Sequence, residues 1–127
     1  MLDRIDIYLW VEPVSYDDLS LKSQGEPSEM IRKRVIAVRN LTQERLAQWS
    51  IFCNGQMSHK QVLKTCCLTV SAQKLLKGAF QKLELSARGY DRILKVARTI
   101  ADLDQEEQIT DRHIAEAIQF RNPLFKA

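Results

Sequence analysis

The chain has 127 residues, 45% of them hydrophobic and 28% charged, enough for one compact core and too few for two domains that each bury an interior. No apolar run approaches the roughly 18 residues needed to cross a bilayer, and the acidic, alternating start MLDRIDIYLWVEP does not read as a secretory signal. The net charge of +3 is unevenly spread: residues 1–27 carry 2 basic and 6 acidic side chains, residues 28–98 carry 14 and 4, and residues 99–127 carry 3 and 6. A middle segment at +10 suits an anionic partner such as a phosphate or a nucleic acid, although Lys and Arg also serve simply to solvate helix faces.

From Arg4 to Val11 the residues Ile5, Ile7, Leu9 and Val11 alternate with polar or aromatic neighbours, the period of a strand with one buried face. No second strand of this quality follows, so the segment is expected to be the edge of a sheet belonging to a larger protein, and to fray or pack opportunistically without it. Residues 12–27, with Pro13, Asp17, Asp18, Gly25 and Pro27, read as an irregular linker. The expected division is therefore strand and linker over 1–27 and a helical domain over 28–127.

Ser28 is expected to cap a helix of roughly 20 residues with an apolar stripe at Ile31, Val35, Val38 and Leu41. A less regular stretch from Trp49 to Met57 follows, and Ser58 caps a short helix holding Val62, Leu63 and Cys66. Ser71 is expected to open a helix with Ala72, Leu75, Leu76, Ala79, Phe80 and Leu83 on one face and Lys74, Lys77 and Lys82 opposite. Ser86 opens the next, with Tyr90, Ile93, Leu94, Ala97, Ile100 and Ala101 inward, and Thr110 caps a last one facing Ile114, Ala117 and Ile118 to the core. The fold class is all-α: a small helical bundle preceded by one strand and a linker.

Several chemistries are excluded by absence. The chain holds no GxxxxGK[ST], GxGxxG, HExxH or CxxC, and its four glycines are not clustered, so it cannot cradle a triphosphate on its own backbone. Cys53, Cys66 and Cys67 form an odd set better suited to reduced thiols than to disulfides, and His59 and His113 lack the spacing of a zinc site. The feature that stands out is Arg88, at about the second position of the helix opened by Ser86. A cation there opposes the macrodipole, and a bound anion meeting both the guanidinium and the free N–H groups would compensate. Arg92 and Lys95 follow on the same face; Asp91 with Lys95 and Arg98 with Asp102 could equally form i, i+4 pairs on a solvated face. Arg4, beside Asp3 and Asp6, could likewise be one half of an exposed pair.

The stretches LDRIDI at 2–7, GEPSEMIRKRV at 25–35, NGQMS at 54–58, LSARGYDRILKVARTIADL at 85–103 and HIAEAIQFR up to Arg121 together resemble the C-terminal part of the magnesium-chelatase-like ComM/YifB family of bacterial AAA+ ATPases. The resemblance covers nearly the whole chain, and the long stretch is its specific element. It implies a helical lid over ATP and Mg2+ held by a Walker-type core outside this chain, in a cytoplasmic ring, hexameric in such families, whose best-described members act on branched DNA during natural transformation. It matches Arg88 to the sensor-2 arginine and Arg4, in a stretch similar to the SRFD motif of replicative MCM helicases, to the arginine finger that reaches a neighbour's γ-phosphate. Arg92 matches without a clear role, as a structural or a nucleotide-facing residue. The sequence departs from the family at Gly55 and Gly89, where alanine is expected, and at Pro27, where serine is. Two other readings share these features: the ATPase subunit of magnesium chelatase itself, acting in porphyrin metallation, and an autonomous basic helical module that binds nucleic acid without ATP.

Overall fold

A computed structural model describes residues 5–9, 11–20 and 25–121. Among them are six helices: α1 (Tyr16–Ser20), α2 (Ser28–Leu46), α3 (His59–Thr65), α4 (Val70–Lys82), α5 (Ala87–Leu103) and α6 (Asp111–Gln119), with 3-10 turns at Ala47–Trp49 and Asn54–Gln56. The all-α bundle is therefore the architecture. No helix among the described residues is long and apolar enough to cross a membrane.

Helix α5 is the central element. Its stripe of Ile93, Leu94, Ala97 and Ala101 shares one core with Ile114 and Ala117 of α6, Val62 of α3 and Leu46 at the end of α2, and α4 adds Ala72 and Leu76 to that core while packing chiefly on α6. Alanines at 97, 101 and 117 keep the side-chain layer between these helices thin where larger residues would hold them apart. The one β-type pairing among the described residues is a parallel bridge between Leu68 and Ile109, through which the Thr69 N–H donates to the Ile109 carbonyl at 3.0 Å and the Ile109 N–H to the Cys67 carbonyl at 2.7 Å.

Helix starts follow local chemistry. Ser58 and Gln61 form a reciprocal capping box, and the Ser86 hydroxyl accepts the Gly89 N–H at 3.0 Å. Two expected caps move. Thr69, not Ser71, caps α4 by accepting the Ala72 N–H, because the pairing of Leu68 and Thr69 with Ile109 holds residue 69 in extended geometry two residues earlier. Ser28 is already helical, and Pro27 occupies the cap position of α2 with no side-chain hydrogen bond. The ends of α4 and α5 use left-handed residues without glycine: Glu84 and Gln105 have φ of 52° and 59°. After them the Leu85 N–H reaches back to the Phe80 carbonyl and the Glu106 N–H to the Ala101 carbonyl, closing each last turn.

Three expectations are corrected. The strand over 4–11 is not formed in its described part: residues 5–9 and 11 adopt no strand, and Ile5, Ile7, Leu9 and Val11 are 44–74% exposed. Alternation builds a strand only where another strand pairs with it, and among the described residues none does. The expected linker contains α1. The apolar stripe of α2 is largely outside the core, since Ile31, Val35 and Leu41 are exposed and the helix buries only Thr42 and Leu46, at its C-terminal end.

Candidate functional site

The first turn of α5 is built by Ser86, whose hydroxyl accepts the Gly89 N–H, while the earlier N–H groups of a helix start lack a partner within the helix. Arg88 projects from this turn. It is exposed, and among the described residues it has neither an ion pair nor a hydrogen bond. Its guanidinium thus stands at the positive end of the α5 dipole with no internal carboxylate to offset it.

Gly89 is buried beneath a second arginine. A methyl group at position 89 would lie 3.0 Å from Nη2 and 3.4 Å from Nε of Arg121, so the glycine makes room for the Arg121 guanidinium over the first turn. Two arginine side chains therefore flank the start of one helix. Beside it an open groove of about 650 Å³ runs between α4 and α5, lined by Leu76, Phe80, Ala87 and Tyr90 with Lys77 and His59 at its edges. The Phe80 and Tyr90 rings meet edge to face at 5.9 Å and stiffen its wall.

Arg92 lies one turn beyond Arg88, but it is engaged: its guanidinium is ion-paired with Asp6. Lys95 donates to the Gly55 carbonyl at 3.2 Å instead of pairing with Asp91, which meets His59 Nδ1 at 2.8 Å. Arg4 lies outside the described residues. Of the three sequence-predicted site residues, then, Arg88 and Arg92 share a face of α5, and Arg88 alone of these two is free to receive a ligand. No group of three or more His, Cys, Asp or Glu side chains suited to a metal occurs among the described residues.

Sequence reasoning placed Arg98 and Asp102 on a solvated face, and the structure buries both. Arg98 Nε contacts Asp102 at 3.2 Å, and its terminal nitrogens donate to the carbonyls of Glu106, Glu107 and Thr65 at 2.6–3.3 Å. Asp102 also accepts both terminal nitrogens of Arg45, at 2.8 and 2.9 Å, and the amide of Asn54 at 3.1 Å. Burial pulls the Asp102 carboxyl upward, but the hydrogen bonds from Arg45 and Asn54 and the charges of Arg45 and Arg98 outweigh it, leaving Asp102 below the ordinary carboxylate range. The hydrogen bond to Asp102 holds Arg45 above its usual value. The missed signal was the helical period itself: Arg98 is four residues after Leu94 and three before Ala101, hence on the buried stripe. This network pins α2, the Asn54 turn and the loop after α5 onto α5.

The network joins Asn54 of NGQMS to Arg98 and Asp102 of ARTIADL, two of the stretches that made the sequence distinctive. Residues 25–121 match the family described as magnesium chelatase, subunit ChlI C-terminal. The chain belongs to this family. Competence protein ComM of Haemophilus influenzae is 38% identical over 121 residues, covering 94% of this chain and 23% of the relative. Proteins named YifB from Salmonella typhimurium and Escherichia coli are each 35% identical, again over 94% of this chain and 23% of the relative. The chain is thus a C-terminal domain of the ComM/YifB type, a helical lid of a magnesium-chelatase-like AAA+ protein, and it spans under a quarter of the length of these relatives. In this ComM/YifB-type domain the matched region begins at Gly25, just ahead of α2, and ends at Arg121, which covers Gly89.

Proposed function

We propose that this domain closes over ATP held by an AAA+ core and that Arg88 senses its phosphates. The observation that carries the reading is the exposed guanidinium of Arg88 at the start of α5, without a partner among the described residues and against the helix dipole. An ATP phosphate reaching that turn meets a bidentate donor and the N–H groups of the helix start together. The chain has no glycine-rich phosphate loop, so the core supplies most of the nucleotide contacts, and Mg2+ is bound there, where it neutralises phosphate charge. Arg88 contributes a cation that arrives only on closure, which couples lid position to hydrolysis.

In this reading Arg4 is the finger that reaches a neighbouring subunit's nucleotide, the subunits form a ring, and the motor acts on DNA. The competence name of the Haemophilus influenzae relative supports the DNA assignment over porphyrin metallation. In the full-length protein, Arg88→Ala is expected to lower ATP turnover by about tenfold to a hundredfold while leaving urea unfolding of the domain unchanged, as expected for lost charge stabilisation at a phosphate. Unchanged turnover refutes the sensor role. Arg4→Ala subunits mixed with wild type should recover part of the activity if the finger acts across the boundary, and a defect confined to the altered subunit's own nucleotide would argue against it.

A further inference from the structure

We propose that Arg92 is a positioning residue that latches the N-terminal segment onto α5 and α6, so that the chain leading from Arg4 moves with the helix that carries Arg88. Three successive residues make the attachment. Asp6 is ion-paired with Arg92, Ile7 lines a groove of about 370 Å³ with Val96, Ile100 and Phe120, and the Tyr8 N–H donates to the Phe120 carbonyl at 2.6 Å. Ile7 keeps 55% of its surface exposed in this groove, so the attachment rests on the ion pair and the backbone hydrogen bond that flank it. The partner of Arg92 is 86 residues away in sequence, and the acidic neighbour on its own helix, Asp91, is turned to His59.

The latch is of a different kind from the buried network on the opposite end of α5. Asp6 has 57% of its side chain exposed, so the ion pair is screened by water and weak by itself. Contacts at successive residues hold a segment that can also be released. Arg88 and Arg92 are one helical turn apart, so a movement of α5 on meeting nucleotide is carried directly to Asp6, two residues after Arg4. The functional half of the inference rests on the lid reading; the attachment itself does not.

Two measurements test it. In the 127-residue chain, Arg92→Gln and Asp6→Asn should each speed amide hydrogen exchange at Tyr8 by about two- to fivefold, and the reversed pair Asp6→Arg with Arg92→Asp should restore it. Unchanged exchange at Tyr8 in both single variants overturns the latch. In the full-length protein, Arg92→Gln should lower kcat with the KM for ATP unchanged, and the reversed pair should recover kcat. A raised KM with kcat unchanged would assign Arg92 to nucleotide binding and overturn the positioning role, as would full turnover in a variant whose Tyr8 amide is released. Full turnover in Arg88→Ala would instead remove the lid reading and leave the exchange result standing.

Discussion

The two ends of the sequence use the same apolar vocabulary with opposite outcomes. In residues 54–121 the periodic residues Val62, Ala72, Leu76, Ile93, Leu94, Ile114 and Ala117 close into one core, whereas in residues 5–41 Ile5, Ile7, Leu9, Val11, Met30, Ile31, Val35 and Ile36 stay 41–74% exposed. Periodicity states which face of an element is apolar; it does not state that another element arrives to cover it. In the second half α5 and α6 supply that cover for each other and for α3 and α4, and of the exposed residues in the first half only Ile7 reaches a groove on α5 and α6. The polar network shows the same contrast, because Asp102 sits 1% exposed among three strong donors while Asp6 meets Arg92 in water.

Four changes break or sharpen this contrast. Asp102→Ala should cost about 3–5 kcal/mol in urea unfolding, since it leaves Arg98 and much of Arg45 as buried charges without their carboxylate; a loss under 1 kcal/mol would show that the carbonyls around Arg98 suffice. Acidification should produce a smaller effect at the same site. The folded carboxyl of Asp102 is depressed, so its contribution is fully present above the ordinary carboxylate pKa of about 3.9 and is lost as pH falls through the lower folded value. Unfolding curves at pH 6 and pH 3 should therefore converge in Asp102→Asn relative to wild type.

Ser86→Ala should cost about 1 kcal/mol by releasing the Gly89 N–H, a moderate effect at a partly covered helix start. Smallest of all, Val35→Gln on the uncovered face of α2 should change stability by less than about 0.5 kcal/mol in this chain, as surface substitutions do. A loss of 2 kcal/mol or more there would mean that the stripe is buried in solution, and the contrast between the two halves would fall.

Much of the domain was legible in advance. The run from Ser86 to Leu103 gave its cap, its buried stripe and the position of Arg88, because capping and the 3.6-residue period act within one or two turns. The ends of α4 and α5 were less legible, since Glu84 and Gln105 adopt left-handed geometry without the glycine that usually marks it. The charges of Arg98 and Asp102 point to a solvated face, whereas their phase on the helix places them inward, where both are buried. Gly89 stands where the resemblance leads one to expect alanine, and it is the seat of Arg121, from a segment 32 residues on, which no local pattern announces.

What the sequence determined by itself was the all-α class, the order of its principal helices and the cation at the start of α5, all consequences of interactions between residues a few positions apart. What only the tertiary structure decided was which apolar faces are covered, that the Arg98–Asp102 pair is buried and gathers Arg45 and Asn54, and that Arg92 is held by Asp6 while Arg88 is left open. Those outcomes depend on desolvation and on partners 48 to 86 residues apart, and both are set by the packing of the whole bundle around α5.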